Sequence, residues 1–378
     1  MFFLKSISLS CPLITKVIYL LICKKYFREM RVYIPPVIFY RHSASCHLLK
    51  QTGFSTLVTH ASTMLVPRTL VHKSAEERRQ SMSNQITSSL PPLYQREGDY
   101  IPRVAAVHDL CGYGKCSLGV AIPVLSAAGC DVCPVPTGLF SSHTAFPGWY
   151  MHDTTAILPD YLEAWKGIGV DIDAVYSGFL GAPEQVNIIK GIYETYPKAL
   201  RIVDPVMADH GKVYATYTPE LCSAMAELAE GADILTPNLT EAAIILDEPI
   251  GDAWAGESIS DGEAQRMVEA LLAKGTKTVV LKGVQRGDGL IRNFVGSQSG
   301  AFFEVNNELL PYMLHGTGDL YCSCLLAAVM AGKALDEAVR FAGDFVHDAM
   351  IVSSKQPQFR ERGVSYEPLL GKVTALLA

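Results

Sequence analysis

From Arg103 onward, short runs of Val, Ile, Leu and Ala alternate with longer stretches whose apolar residues recur every three or four positions. Runs too apolar to keep a wet face predict strands buried on both sides, at 103–108, 130–137, 174–180, 201–206, 232–238 and 277–283. Helical spacing over 183–195, 218–229, 239–247 and 261–274 fills most of the gaps. Strand–helix alternation of this kind predicts a doubly wound α/β domain: a mostly parallel central sheet flanked by helices, with right-handed crossovers. Residues 290–306 depart from it, with two strand-like runs around a Gly/Ser/Gln turn that predict an antiparallel hairpin at the sheet edge. Two helices, about 318–332 and 335–354, finish the chain. No internal repeat and no interdomain linker interrupts the pattern.

The first eighty residues follow none of this. They hold 12 Lys/Arg against 3 Asp/Glu, whereas the whole chain carries a formal charge of −6, and the first Asp is Asp99. Pro12 and Lys16 interrupt the apolar run that a secretory signal would need, and Lys24 and Lys25 follow that run instead of preceding it. An organelle transit peptide suits the Arg-rich, acid-poor composition better. A third reading, favoured here, places the working start at Met82. The expected organisation is a basic extension over 1–81, disordered or outside the working protein, a leader over 82–102 and one α/β domain over 103–378.

Mild overall acidity argues against a nucleic-acid footprint. No uninterrupted apolar run reaches the roughly 18 residues of a membrane span. Ten cysteines in a chain this long imply no disulfide framework. Cys130 and Cys133 form a CxxC without a second pair at metal-binding spacing, so buried strand cysteines in a reducing cytoplasm are the expectation.

Ligands of such sheets bind beyond the carboxyl ends of the strands. Polar residues cluster there: His108 and Asp109, Thr137 with Ser141 to Thr144, Ser177 and Gly178, Asp204, Asn238 with Glu241, and Lys282. Each has a plain alternative as a turn or cap residue. The loop "HDLCGYGKCSLG" after the first strand fails the dinucleotide fingerprint, because Ser117 stands where the third Gly belongs. It fails the Walker pattern too, with Asp109 at the first Gly and Cys116 at the last position. In "LHGTGD", Gly316, Thr317 and Gly318 lead straight into an apolar helix, so their backbone N–H groups can gather round an anion at its N-terminus. Asp319 beside them is placed either to favour the helix dipole or to accept a proton from an attacking hydroxyl. Asp204, Asn238 and Glu241 offer oxygen ligands for a hydrated Mg²⁺. Asn238 and Glu241 also spell a capping box, and both readings can hold.

The strings "SGFLGAPEQ", "DPVM", "PNLTEA", "VLKG" and "GTGD", with "FSSHT" and the opening loop, resemble the ribokinase superfamily and specifically its vitamin kinases of the pyridoxal/pyridoxamine kinase type. The likeness runs from Arg103 to the C-terminus. It implies ATP-dependent phosphorylation of the 5′-hydroxymethyl group of a B6 vitamer, with Asp319 as the base and the backbone of Gly316, Thr317 and Gly318 as the anion hole. It further implies that Asp204 and Glu241 position Mg²⁺-ATP largely through water, that Thr236, Asn238 and Lys282 serve the nucleotide, and that Asp109, Thr144 and Phe179 lie around the pyridine ring. A homodimer without a separate lid domain is the family habit. A need for a monovalent cation such as K⁺ stays open. Asp109 stands where many relatives place Ser, and Phe179 where many place Tyr. The hydroxymethylpyrimidine kinases of thiamine synthesis share "DPVM" and "GTGD" but open with a different loop, so they remain the alternative. A non-catalytic vitamer- or nucleotide-binding protein on this fold is the rival from another class, although Asp319 and its glycine loop are both present.

Overall fold

Alternation inside single strands sets the architecture. In a computed structural model that describes residues 90–250 and 259–378, β1 (Arg103–Cys111) sends Ala105 and Val107 to one face of the sheet and Val104 to the other. β4 (Ala174–Ser177) does the same with Val175 against Ala174 and Tyr176, and β5 (Leu200–Val203) with Val203 against Ile202. Both faces are therefore apolar and both are covered. One layer is α2 (Leu158–Ile168), α3 (Glu184–Thr195), α4 (Pro219–Ala229), α5 (Leu239–Leu246) and α6 (Asp261–Ala273). The other is α1 (Leu118–Ala127), α7 (Thr317–Met330), α8 (Leu335–Ser353) and the short α10 (Leu370–Thr374), which follows α9 (Phe359–Arg362). Every residue of α7 from Asp319 to Met330 is buried, as a helix that is apolar all round must be.

The sheet has nine strands in the order β11-β10-β9-β8-β5-β4-β1-β2-β3. β2 (Asp131–Phe140), β8 (Ile234–Leu235) and β9 (Thr278–Gln285) join β1, β4 and β5 in the parallel part. β10 (Leu290–Ser297) and β11 (Phe302–Glu308) form the expected antiparallel hairpin at one edge. The other edge is β3 (Met151–Asp153), antiparallel to β2. A separate ribbon pairs β6 (Ala208–Asp209) with β7 (Lys212–Val213). The sheet grows outward from β1 in both directions, so the crevice between the ends of β1 and β4 is its switch point.

Several expected strands stop early for a visible reason. The run over 201–206 ends its ladder at Val203, and the run over 232–238 keeps a ladder only at Ile234–Leu235. Pro205 and Pro237 have no N–H to give. Beyond Pro237 the chain touches the sheet through one bridge, Asn238 to Lys282. β1 instead runs on to Cys111, past an irregularity between His108 and Leu110. β3, α2 and the β6–β7 ribbon were not expected from the sequence. The expected boundary at residues 81–82 lies outside the described residues. Cys130 is buried just ahead of β2 and Cys133 lies half-buried within it, with no metal-ligating group of three among the described residues. No described helix is long and apolar enough to cross a membrane.

Candidate active site

The switch point brings two pairs of residues together. At the end of β1, His108 and Asp109 are buried; at the end of β4, Gly178 donates its N–H to the Val107 carbonyl at 3.0 Å. Gly178 is required there, since a Cβ would overlap the His108 imidazole. That ring packs edge-on to Tyr176 at 4.3 Å, and burial drives its pKa down to about 3, so it stays neutral. Phe179 follows, with its carbonyl taking the Thr137 hydroxyl at 2.8 Å and its ring edge-on to Phe140 and Tyr217, each at 5.6 Å. Asp109 is only 5% exposed, and burial raises its carboxyl to about 6 against the pull of the Ser117 hydroxyl.

Opposite, Gly316 caps α7 in the left-handed region (φ 80°), where a Cβ would run into the Lys115 carbonyl. No side chain caps this helix end, so its first-turn N–H groups lack intrahelical acceptors and face outward as donors. The Thr317 hydroxyl is spent on the Leu314 carbonyl at 3.1 Å. Asp319 sits in the same turn, buried, with Oδ1 free of any hydrogen-bond partner. Burial raises its carboxyl to about 7, with the negative charge of Asp204 adding to the effect. The Tyr176 hydroxyl steadies the turn from below, donating to the Asp319 carbonyl at 3.4 Å and lying 3.3 Å from Ser323 Oγ.

The third part joins the ends of β5, β8 and β9. Lys282 Nζ meets Asp204 Oδ1 at 2.5 Å, and the Thr236 hydroxyl donates to the same oxygen at 2.9 Å. Burial disfavours the lysine charge, yet Asp204 and Glu241 outweigh it and hold the ammonium above its ordinary pKa. Asp204 Oδ2 is buried and unpartnered. The expected capping box is present: Asn238 Oδ1 takes the Glu241 N–H at 2.9 Å, and Glu241 Oε2 takes the Asn238 N–H at 2.8 Å. Glu241 Oε1 accepts the Met207 N–H at a long 3.4 Å, and burial raises this carboxyl. Lys282 also reaches toward Gly318, linking this cluster to the glycine turn.

Thr144 is exposed on the turn after β2, one residue beyond His143, whose N–H donates to the Tyr113 carbonyl at 3.0 Å. The sequence reading missed Ser117. Its φ of 50° is unusual for a side-chain-bearing residue, and it heads α1 without capping it. Its hydroxyl is turned to Asp109 and its backbone N–H to Asp319. It missed as well the C-terminal segment that ties the loops together. The Val364 N–H donates to the His315 carbonyl at 3.0 Å, the Glu361 carbonyl lies 2.8 Å from His143 Nε2, the Tyr366 hydroxyl donates to the Gly119 carbonyl, and Glu367 pairs with Lys115.

A doubly wound sheet with a glycine turn and a buried carboxylate heading the helix that follows is the arrangement of the ribokinase class of small-molecule kinases. The family model described as phosphomethylpyrimidine kinase matches residues 145–363. A pyridoxal kinase of Pseudomonas savastanoi is 30% identical over 271 residues, covering 66% of this chain and 88% of the relative. Among solved structures, a candidate phosphomethylpyrimidine kinase of Bacteroides thetaiotaomicron, crystallised with pyridoxal, is 32% identical with a TM-score of 0.68, over 72% of this chain and 96% of that one. The pyridoxal kinase of Lactobacillus plantarum is 27% identical with a TM-score of 0.66, over 73% and 98%. The chain belongs to the pyridoxal kinase family of that superfamily.

Proposed function

We propose that this chain transfers the terminal phosphoryl group of ATP to the 5′-hydroxymethyl group of pyridoxal, pyridoxine or pyridoxamine. The observation that carries the reading is Asp319 Oδ1, a buried carboxylate oxygen without a partner beside the uncapped donors of α7. A carboxyl raised to about 7 is matched to taking a proton from an alcohol near neutral pH. The backbone N–H groups of Gly316, Thr317 and Gly318 receive the charge that develops on the phosphoryl oxygens, in a site kept dry by the buried α7. Lys282, paired with Asp204, forms the nucleotide side together with Thr236 and Asn238. Asp109, Phe179 and Thr144 form the acceptor side.

The donor set suits Mg²⁺ held largely through water. Asp204 Oδ2 is free, and Glu241 offers the weakly used Oε1, while its Oε2 is committed to the capping box. When bound, the ion neutralises phosphate charge. The same reading makes the protein a cytoplasmic homodimer, after the habit of the family.

The test is Mg²⁺-ATP turnover with the three B6 vitamers and hydroxymethylpyrimidine in parallel. Phosphorylation of the B6 set is expected. Turnover of hydroxymethylpyrimidine alone would move the chain to the thiamine branch, which shares the family model's description. Binding of vitamer or nucleotide without turnover would make it a binding protein.

A further inference from the structure

Ser117 keeps a left-handed φ of 50° although it carries a side chain, and no side chain caps α1 at this end. Such a backbone is strained and persists only where its surroundings over-determine it. The residues on either side of Ser117 are gripped by the tail. Ahead of it, the Lys115 ammonium pairs with the Glu367 carboxylate and lies 5.5 Å from the centre of the Tyr366 ring. Behind it, the Gly119 carbonyl takes the Tyr366 hydroxyl at 2.5 Å. Tyr366 is buried, so one anchored side chain and its neighbour hold both flanks of Ser117. Lys115 is fixed from the glycine turn as well, because its carbonyl fills the space that a Cβ on Gly316 would need. Its charge is thus engaged by the tail while its backbone packs on the turn ahead of α7.

The grip delivers the Ser117 N–H, which faces Asp319. Burial and the charges of Asp204 and Asp109 favour the protonated form of that carboxyl, whereas the Ser117 N–H and the Lys282 ammonium favour the ionised form. We propose that Lys115 is a positioning residue for the phosphoryl transfer: clamped by Tyr366 and Glu367, it keeps Ser117 in the left-handed turn that holds its N–H on Asp319. The inference rests on the reading of Asp319 as the base. Without the clamp, Ser117 relaxes toward the extended backbone of an ordinary N-cap, its N–H leaves the carboxylate, and Asp319 keeps its proton to higher pH.

The experiment is the pH profile of kcat with Mg²⁺-ATP and pyridoxal, for the full chain and its Lys115→Met and Glu367→Gln variants. The midpoint of the rise, about 7 in the parent, is expected at least about half a pH unit higher in both variants, roughly a threefold gain in proton affinity. KM for ATP should stay within about twofold. Glu367 is half-exposed, so Glu367→Gln carries the test alone should Lys115→Met fail to fold. An unmoved midpoint in either folded variant overturns the assignment. So does a KM for ATP raised tenfold or more in Lys115→Met with Glu367→Gln at parent values, which would make Lys115 a phosphate ligand. Absence of turnover in the parent would strike the kinase reading itself.

Discussion

Lys282 and Asp204 form an ion pair at 2.5 Å in which the lysine is nearly buried and the aspartate wholly so. Two charges this deep are costly to bring out of water singly and tolerable only together. Lys282→Met leaves Asp204 charged and alone, with the Thr236 hydroxyl as its remaining partner. The expected loss is about 3–5 kcal/mol of stability, read by urea unfolding, with a higher KM for ATP in whatever stays folded. Asp204→Asn added to Lys282→Met should restore part of the stability and none of the activity.

Asp319→Asn keeps the shape of the first turn of α7 and removes the proton acceptor. Turnover should fall by about 10²–10⁴-fold, the range of a positioned general base, while ATP affinity by calorimetry stays within about twofold. Near-normal kcat would end the assignment of Asp319 as the base.

The pH dependence follows from the same carboxyl. Asp319 must be unprotonated to act, so kcat should rise with pH through about 7 and level off above it. Stability should move the other way. A folded-state pKa raised above the unfolded value means the folded protein holds the proton more tightly, so stability is fully present at acid pH and is lost as pH climbs through about 7. Calorimetric Tm of the ligand-free protein should therefore fall between pH 5 and pH 8, and the fall should shrink in Asp319→Asn.

Gly316→Ala tests the backbone of the anion hole. The new methyl group meets the Lys115 carbonyl, and the left-handed φ of 80° is unfavourable for any residue with a Cβ. A loss of about 1–3 kcal/mol should accompany a drop in kcat larger than the rise in either KM, because the turn itself is displaced.

Glu241→Gln separates capping from metal handling. Glutamine can still accept the Asn238 N–H, so the box survives and stability should change by less than about 1 kcal/mol. The Mg²⁺ concentration for half-maximal rate should nevertheless rise. An unchanged metal titration would leave Glu241 a cap and nothing more.

Much of this site can be read in the letters because chemistry and punctuation coincide there. Glycines before an apolar run place backbone donors at a helix start, which made residues 316–319 stand out. Asp204 and Thr236 each follow a buried strand and Lys282 lies in the second half of one, toward the end where a doubly wound sheet presents its ligands. Ser117 could not be found this way. Its importance lies in a left-handed backbone and in facing two carboxylates that approach only after folding, and serine is an ordinary N-cap letter. The edge strand Met151–Asp153 was hidden for a related reason: three residues make no period, and its pairing with β2 is set by the chain's return after Trp149. Pro205 and Pro237 were visible, but their effect on where each ladder stops depends on which neighbour needed the missing N–H.

The last twenty residues of the chain work as a latch on loops encoded from about fifty to about two hundred and fifty residues earlier. The segment from Glu361 to Glu367 touches the loop after β1, the turn after β2 and the residue just ahead of the glycine turn. Those three loops carry opposite walls of one crevice, and what spans them all is the tail. A frameshift or trimming near residue 360 would thus spare the sheet, whose strands end at Glu308, and still slacken the active site. Such a product would lose the latch together with the buried Val364, Tyr366 and Val373 that help cover one face of the sheet, a reason to leave the carboxyl end untouched when the protein is tagged.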